Sequence, residues 1–95
     1  MALNVRLSDR ARGDIEEIAT YLSENWSEKV KTDFLLNLTA QIDMISKMPY
    51  MYRASASKPN VRECTLNKHT LIYYEIVNED LIRILTIRNS RKGKS

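Results

Sequence analysis

Few side chains in this 95-residue chain can do chemistry, and most of those are cationic. His69 is the only histidine, and imidazole is the one side chain whose ordinary pKa lies near neutrality. Beside a predicted turn it could serve as a general acid or base, or simply stand exposed. Arg62, Arg83, Arg88 and Arg91, with Arg53 and Lys58 upstream of them, could hold a phosphate group. Cations on a phosphate beside a group able to move a proton are the general parts of metal-free phosphate chemistry. Tyr73 and Tyr74 are adjacent, so on a strand one faces a core and the other an open surface. The carboxylates offer less. Glu16 and Glu17 diverge on a helix, and Glu63 and Glu75 fall on neighbouring predicted strands, where they could meet. Cys64 is the only cysteine, so no internal disulfide forms. One Cys and one His fall short of a zinc ligand set, so neither a metal nor a cofactor is expected. Cys64 reads as a small, partly buried apolar residue.

The net charge of +3 is unevenly spread. Residues 1–48 hold six Lys/Arg against eight Asp/Glu, a balance of −2, and residues 49–95 hold nine against four, a balance of +5. The second half could therefore face an acidic partner or a phosphate backbone, or be a solvated basic surface. Charge begins too early for a signal peptide, and no apolar run is long enough to span a bilayer. A protein of the reducing cytoplasm is expected. The length suits one domain over 1–95, with a core modest enough to favour a stabilising partner.

Asn4–Leu7 alternates as a short strand does. Ser8 and Asp9 supply capping oxygens for a helix carrying Ala11, Ile15, Ile18, Ala19 and Leu22 at helical spacing. The pattern breaks at residues 24–27, and Ser27 looks like the cap of a second helix. Val30, Phe34, Leu38, Ile42 and Ile45 share one face of that helix, with Leu35 flanking. Pro49 disfavours helical geometry at Met48, so the helix ends near Lys47. Two amphipathic helices with so short a link form an antiparallel hairpin. Residues 50–60 lack periodicity and read as a loop. Val61–Leu66, Thr70–Val77 and Leu81–Arg88 read as three strands joined by short turns, an antiparallel meander. Residues 89–95 read as a basic, mobile tail. Along the last strand Arg83 and Arg88 point to opposite faces unless a bulge intervenes. The order β-α-α-β-β-β specifies an α+β domain, an antiparallel sheet with the helical hairpin packed on one face. The other face of the sheet is left open, and function is expected there.

The residues Ala11, Asp14-Ile15, Ile18, Tyr21, Trp26, Phe34, Leu38, Ile42, Ile45 and Pro49 resemble the helical hairpin of RelE/ParE toxins. So do Arg62, Tyr74-Glu75-Ile76 and the run from Leu81 to Arg88 followed by Arg91. The similarity extends from about Val5 to Arg91, and its specificity lies in the order and spacing of the motifs together. It implies the toxin of a type II toxin–antitoxin module, often called a plasmid stabilisation protein. Two activities occur in this superfamily. RelE-like members cleave mRNA in the ribosomal A site, whereas ParE-like members bind and poison DNA gyrase. The fold alone does not choose between them.

RelE-like nucleases resemble one another in carrying an arginine in the strand corresponding to Thr70–Val77, and a Tyr or His-Tyr near the C-terminus. Here Leu71 falls at the arginine position, and the tail after Arg88, NSRKGKS, has neither Tyr nor His. The chain is thus read as closer to ParE, with growth inhibition by binding a target such as DNA gyrase. The alternative is a ribosome-dependent mRNA endonuclease using His69, Arg62, Arg83, Arg88 and Arg91. Arg53, Lys58, Arg62, Arg83, Arg88 and Arg91 are the candidate target-binding residues. A third reading is an inert relative that only binds its antitoxin, and in all three cases the resemblance implies a cognate antitoxin that folds around the toxin as a helix along the hairpin and a strand on the sheet edge. Tyr21 and Leu35 are the candidate anchors, or else pack within the hairpin.

Overall fold

A computed structural model describes residues 2–56 and 58–90. Strand β1 (Asn4–Leu7) leads into helices α1 (Asp9–Asn25) and α2 (Glu28–Lys47). Strands β2 (Arg53–Ala54), β3 (Val61–Asn67), β4 (Thr70–Asn78) and β5 (Leu81–Asn89) follow.

Both helices start where capping chemistry places them. The Ser8 hydroxyl accepts from the Ala11 amide at 3.0 Å, and that of Ser27 accepts from Val30 at 3.1 Å. Each satisfies an amide that has no partner within the helix. α2 ends with the Met48 amide donating to the Met44 carbonyl, immediately before Pro49. Of the apolar positions expected on the inner face of α2, Phe34, Leu38 and Ile45 are buried, while Val30 in the first turn stays 36% exposed.

The sheet order is β1-β5-β4-β3-β2. β3, β4 and β5 form the expected antiparallel meander. β1 departs from an antiparallel arrangement. It joins β5 in parallel, Asn4 opposite Leu81 and Leu7 opposite Ile84, so the sheet is mixed. The α1–α2 hairpin carries the chain from β1 to the other side of the sheet, and a parallel neighbour requires such a crossover. β1 is also tied to α2, since the Leu3 amide donates to the Ser46 carbonyl and the Ser46 hydroxyl donates to the Leu3 carbonyl. The expected loop over 50–60 contains β2, a two-residue edge strand antiparallel to β3. The expected mobile tail over 89–95 does not hold at its first two residues. Asn89 closes β5 and the Ser90 amide donates to the His69 carbonyl, and 91–95 lie outside the described residues.

One core joins the layers. Ala11, Ile18, Leu22, Phe34, Leu38 and Ile45 of the helices meet Cys64, Ile72, Tyr74, Ile82, Ile84 and Ile87 of the sheet. Cys64 is buried, as expected. Gln41 donates to both the Tyr52 hydroxyl (2.9 Å) and the Cys64 sulfur (3.0 Å). Tyr74 is the adjacent tyrosine that enters the core, fully buried, and its hydroxyl donates to the Pro49 carbonyl at 2.5 Å. That bond pins the loop after α2 to the sheet. Among the described residues, no helix is long and apolar enough to cross a membrane.

Candidate functional site: the open face of the sheet

The face of the sheet turned away from the helices is organised by an irregularity in β5. Ile82 and Ile84 are both buried, but the next buried residue is Ile87, three positions on. Tyr74 pairs with Ile84 and Tyr73 with Thr86, so Leu85 is an extra residue, a β-bulge. The bulge is held from above by α1. The Ser8 amide donates to the Ile84 carbonyl at 3.0 Å, and the Ser8 hydroxyl donates to the Leu85 carbonyl at 2.7 Å. Asp14 accepts from the Thr86 hydroxyl at 2.5 Å and from the Ile87 amide at 3.0 Å. The amide and carbonyl groups that a bulge takes out of the ladder thus find partners at the start of α1.

The bulge decides where the arginines go. Directly opposed residues of an antiparallel pair project to the same face. Arg83 opposes Glu75 and Arg88 opposes Leu71, and both partners alternate with the buried Ile72 and Tyr74. Arg83 and Arg88 therefore share the open face. Tyr73, half-buried, lies between Leu71 and Glu75 on that face, as the alternation of the two tyrosines requires.

Arg53 and Glu63 oppose each other across β2 and β3 and form an ion pair at 3.4 Å, and Arg83 and Glu75 form one at 3.6 Å. Glu63 and Glu75 are diagonal rather than directly opposed, since Glu63 opposes Tyr73 and Glu75 opposes Val61, and each is paired with an arginine. Arg62 is separated from the other arginines. It opposes the buried Tyr74, so it belongs to the helix-side face. There it donates to the Tyr52 carbonyl at 2.6 Å and lies over the Tyr50 ring, 5.2 Å from its centroid. A single cluster of Arg62, Arg83 and Arg88 is not formed.

Two clefts flank Arg88. One, about 840 Å³, runs from Arg10 and Tyr73 to Lys68 and His69 in the β3–β4 turn. The other, about 620 Å³, lies between Arg88 and the loop carrying Ser55 and Lys58, with Val61 at its floor. His69 is held by its backbone, its amide donating to the Asn67 side chain at 2.8 Å. It therefore shares a cleft with Arg88 and Tyr73, whereas Arg91 lies outside the described residues. Sequence reasoning missed Arg10 and Lys68. The signal for Arg10 was its place in the first turn of the helix that begins at Ser8, and that for Lys68 was its place beside His69.

Tyr21 and Leu35 are partly buried and pack against the core. The large apolar side chains that stand out from the hairpin are Trp26, Val30, Leu36 and Met44, with Leu36 64% exposed. Burial pushes the Cys64 thiol and the Tyr52 and Tyr74 phenols above their ordinary values. None of the three is poised to ionise near neutrality.

Residues 5–93 match the model of a family described as the ParE toxin of the type II toxin–antitoxin system parDE. The chain is 32% identical over 81 residues to Toxin ParE1 of Caulobacter vibrioides, covering 84% of each chain. Its fold is similar to that of a chain from the chromosomal ParDE system of P. aeruginosa, with a TM-score of 0.77 at 14% identity over 93% of this chain and 96% of that one. It is also similar to the YoeB dimer structure from Staphylococcus aureus, with a TM-score of 0.67 at 13% identity over 93% and 97%. On the match over residues 5–93 and the identity to Toxin ParE1, this chain belongs to the ParE toxin family of type II toxin–antitoxin systems.

Proposed function

We propose that the protein inhibits growth by binding DNA gyrase through the open face of its sheet, in the cytoplasm, and that a cognate antitoxin neutralises it. The observation that carries the choice of a binding toxin over a nuclease is the charge arrangement on that face. Arg53 and Arg83 are each matched by a carboxylate, Glu63 and Glu75, and Leu71 stands opposite Arg88. The two carboxylates neutralise the arginines beside them, which leaves Arg53 and Arg83 without the net charge that would clamp a scissile phosphate. Paired charges of both signs instead suit a protein partner, for which they set register and orientation. Arg53, Lys58, Arg83 and Arg88 are the residues that would meet the target, and Arg62 would act only through the Tyr50–Tyr52 segment that it holds.

The antitoxin would lie along the hairpin, with Tyr21 and Leu35 at the base of its contact and Leu36 as an exposed apolar anchor. A strand added to an edge of the sheet would complete the grip.

The test is to add purified protein to gyrase supercoiling reactions and, in parallel, to a translating extract whose mRNA ends are mapped. Loss of supercoiling with accumulating cleaved DNA–gyrase complexes and intact mRNA is the expected result. New mRNA ends within codons, with gyrase unaffected, would overturn the reading in favour of a ribosome-dependent nuclease.

A further inference from the structure

The two clefts share the walls formed by Arg10, Tyr73, Thr86 and Arg88, so together they make one trough that runs from the open face round the end of β5 towards α1. Its cations differ from Arg53 and Arg83 in an important respect. Lys58 at one end, Arg88 in the middle and Lys68 at the other end belong to none of the ion pairs formed among the described residues. All three are exposed. The carboxylates that line the trough are already engaged. Asp14 accepts from Thr86 and Ile87 and faces Arg10 at 4.0 Å, Glu63 pairs with Arg53, and Glu17 has a partner of its own. The charge left over along the trough is therefore positive, and it is spread in a line rather than gathered at a point. Tyr73 sits in the wall common to both halves, between the lysines at the two ends.

A line of unmatched cations beside an aromatic ring is the arrangement that tracks a nucleic-acid strand, with the cations on phosphates and the ring available for a base to stack on. We propose that this trough binds the phosphate backbone of a DNA strand, with Lys58, Arg88 and Lys68 on phosphates spaced along it and Tyr73 as the stacking surface. The contact is independent of sequence, because nothing in it reads base edges. It goes beyond the gyrase reading. A toxin whose Lys58 and Arg88 meet the DNA held by gyrase, while the paired Arg53 and Arg83 beside them meet the enzyme itself, would engage its target on its substrate.

The experiment measures fluorescence anisotropy of a labelled 16-nucleotide single-stranded DNA with the full-length protein, without gyrase, across a salt series. Three phosphate contacts give a slope of log K against log salt of about −2, so affinity falls about 20-fold between 50 and 200 mM salt. Lys58→Gln, Arg88→Gln and Lys68→Gln should each make the slope shallower by about 0.7. Arg83→Gln, at a matched arginine, should leave it unchanged, and Tyr73→Leu should weaken binding without altering the slope. Thermal melting of each variant verifies that it folds. No salt-dependent binding, equal effects of Arg83→Gln and Arg88→Gln, or tenfold tighter binding of RNA of the same sequence would overturn the proposal. The gyrase and translation assays are scored separately, so either reading can fail while the other stands.

Discussion

Removing the Asp14 carboxylate should do more damage than its partly solvated position on α1 suggests. Its Oδ2 atom accepts from the Thr86 hydroxyl and from the Ile87 amide, 72 and 73 residues away in the chain. Its side chain is 19% exposed, so these bonds form with limited competition from water. Hydrogen bonds to a charged group contribute about 1.5–3 kcal/mol each, and an amide left without a partner costs about 1–3 kcal/mol. The Arg10 contact, at 4.0 Å with Arg10 76% exposed, adds little. Allowing for the desolvation that the carboxylate no longer pays, Asp14→Ala should destabilise the domain by about 3 kcal/mol. For a domain of this size that corresponds to a fall in melting temperature of about 12–20 °C. Asp14→Asn keeps an acceptor oxygen in place and should cost only about 1 kcal/mol. Thr86→Val removes one of the two bonds and should fall between them. Urea unfolding followed by circular dichroism gives the energies, and amide hydrogen exchange at Ile87 reports the bulge directly. If Asp14→Ala and Asp14→Asn both lay within 0.5 kcal/mol of the parent, with Ile87 exchange unchanged, the bulge would not depend on α1, and this account of how Arg88 reaches the open face would be refuted.

Burial raises the Cys64 and Tyr74 proton affinities in the folded state. The stability this contributes is complete below the ordinary values of about 8.5 and about 10, and is lost as the pH rises through the folded ones. Melting temperatures measured from pH 7 to 10.5 should therefore decline from about pH 8.5 upward, and Cys64→Ala should delay the decline. A profile flat to pH 10.5 would contradict this. Tyr74→Phe strips the Pro49 carbonyl of its donor and should cost about 1–3 kcal/mol by denaturant titration, with faster exchange across residues 49–52. Ile84→Ala, beside the bulge in the fully buried core, should cost about 2–5 kcal/mol. Arg83→Ala should behave in the opposite manner. Its ion pair is half-exposed and stabilises by less than about 1 kcal/mol, yet gyrase inhibition should fall at least tenfold while the melting temperature barely moves.

The element order was readable because its signals are local. Ser8 and Ser27 cap the helices that were expected to start beside them, and Pro49 follows the end of the second. The apolar spacing from Ala11 to Leu22 and from Phe34 to Ile45 named most of the helical core. Alternation placed Tyr73 and Tyr74 on opposite faces, although only the register showed which one enters the core. β2 carried no readable signal, since two residues are too few to display a period. The face occupied by Arg62 was equally hidden, because it depends on which residue of β4 lies opposite.

By itself, the sequence determined the two-layer α+β domain, its helical hairpin, its three-stranded meander and its kinship with the toxins. Each of these follows from neighbours a few residues apart, or from the order of motifs. The tertiary structure alone decided that β1 runs parallel to β5 and that Leu85 is bulged out. Only it could show Arg83 and Arg88 on one face with Arg62 on the other. Leu81–Arg88 has apolar residues at both parities, so its own pattern cannot say where the alternation slips. What settles the slip is Ser8 and Asp14 bonding to a strand more than seventy residues away, a long-range contact that exists only once the chain has closed on itself.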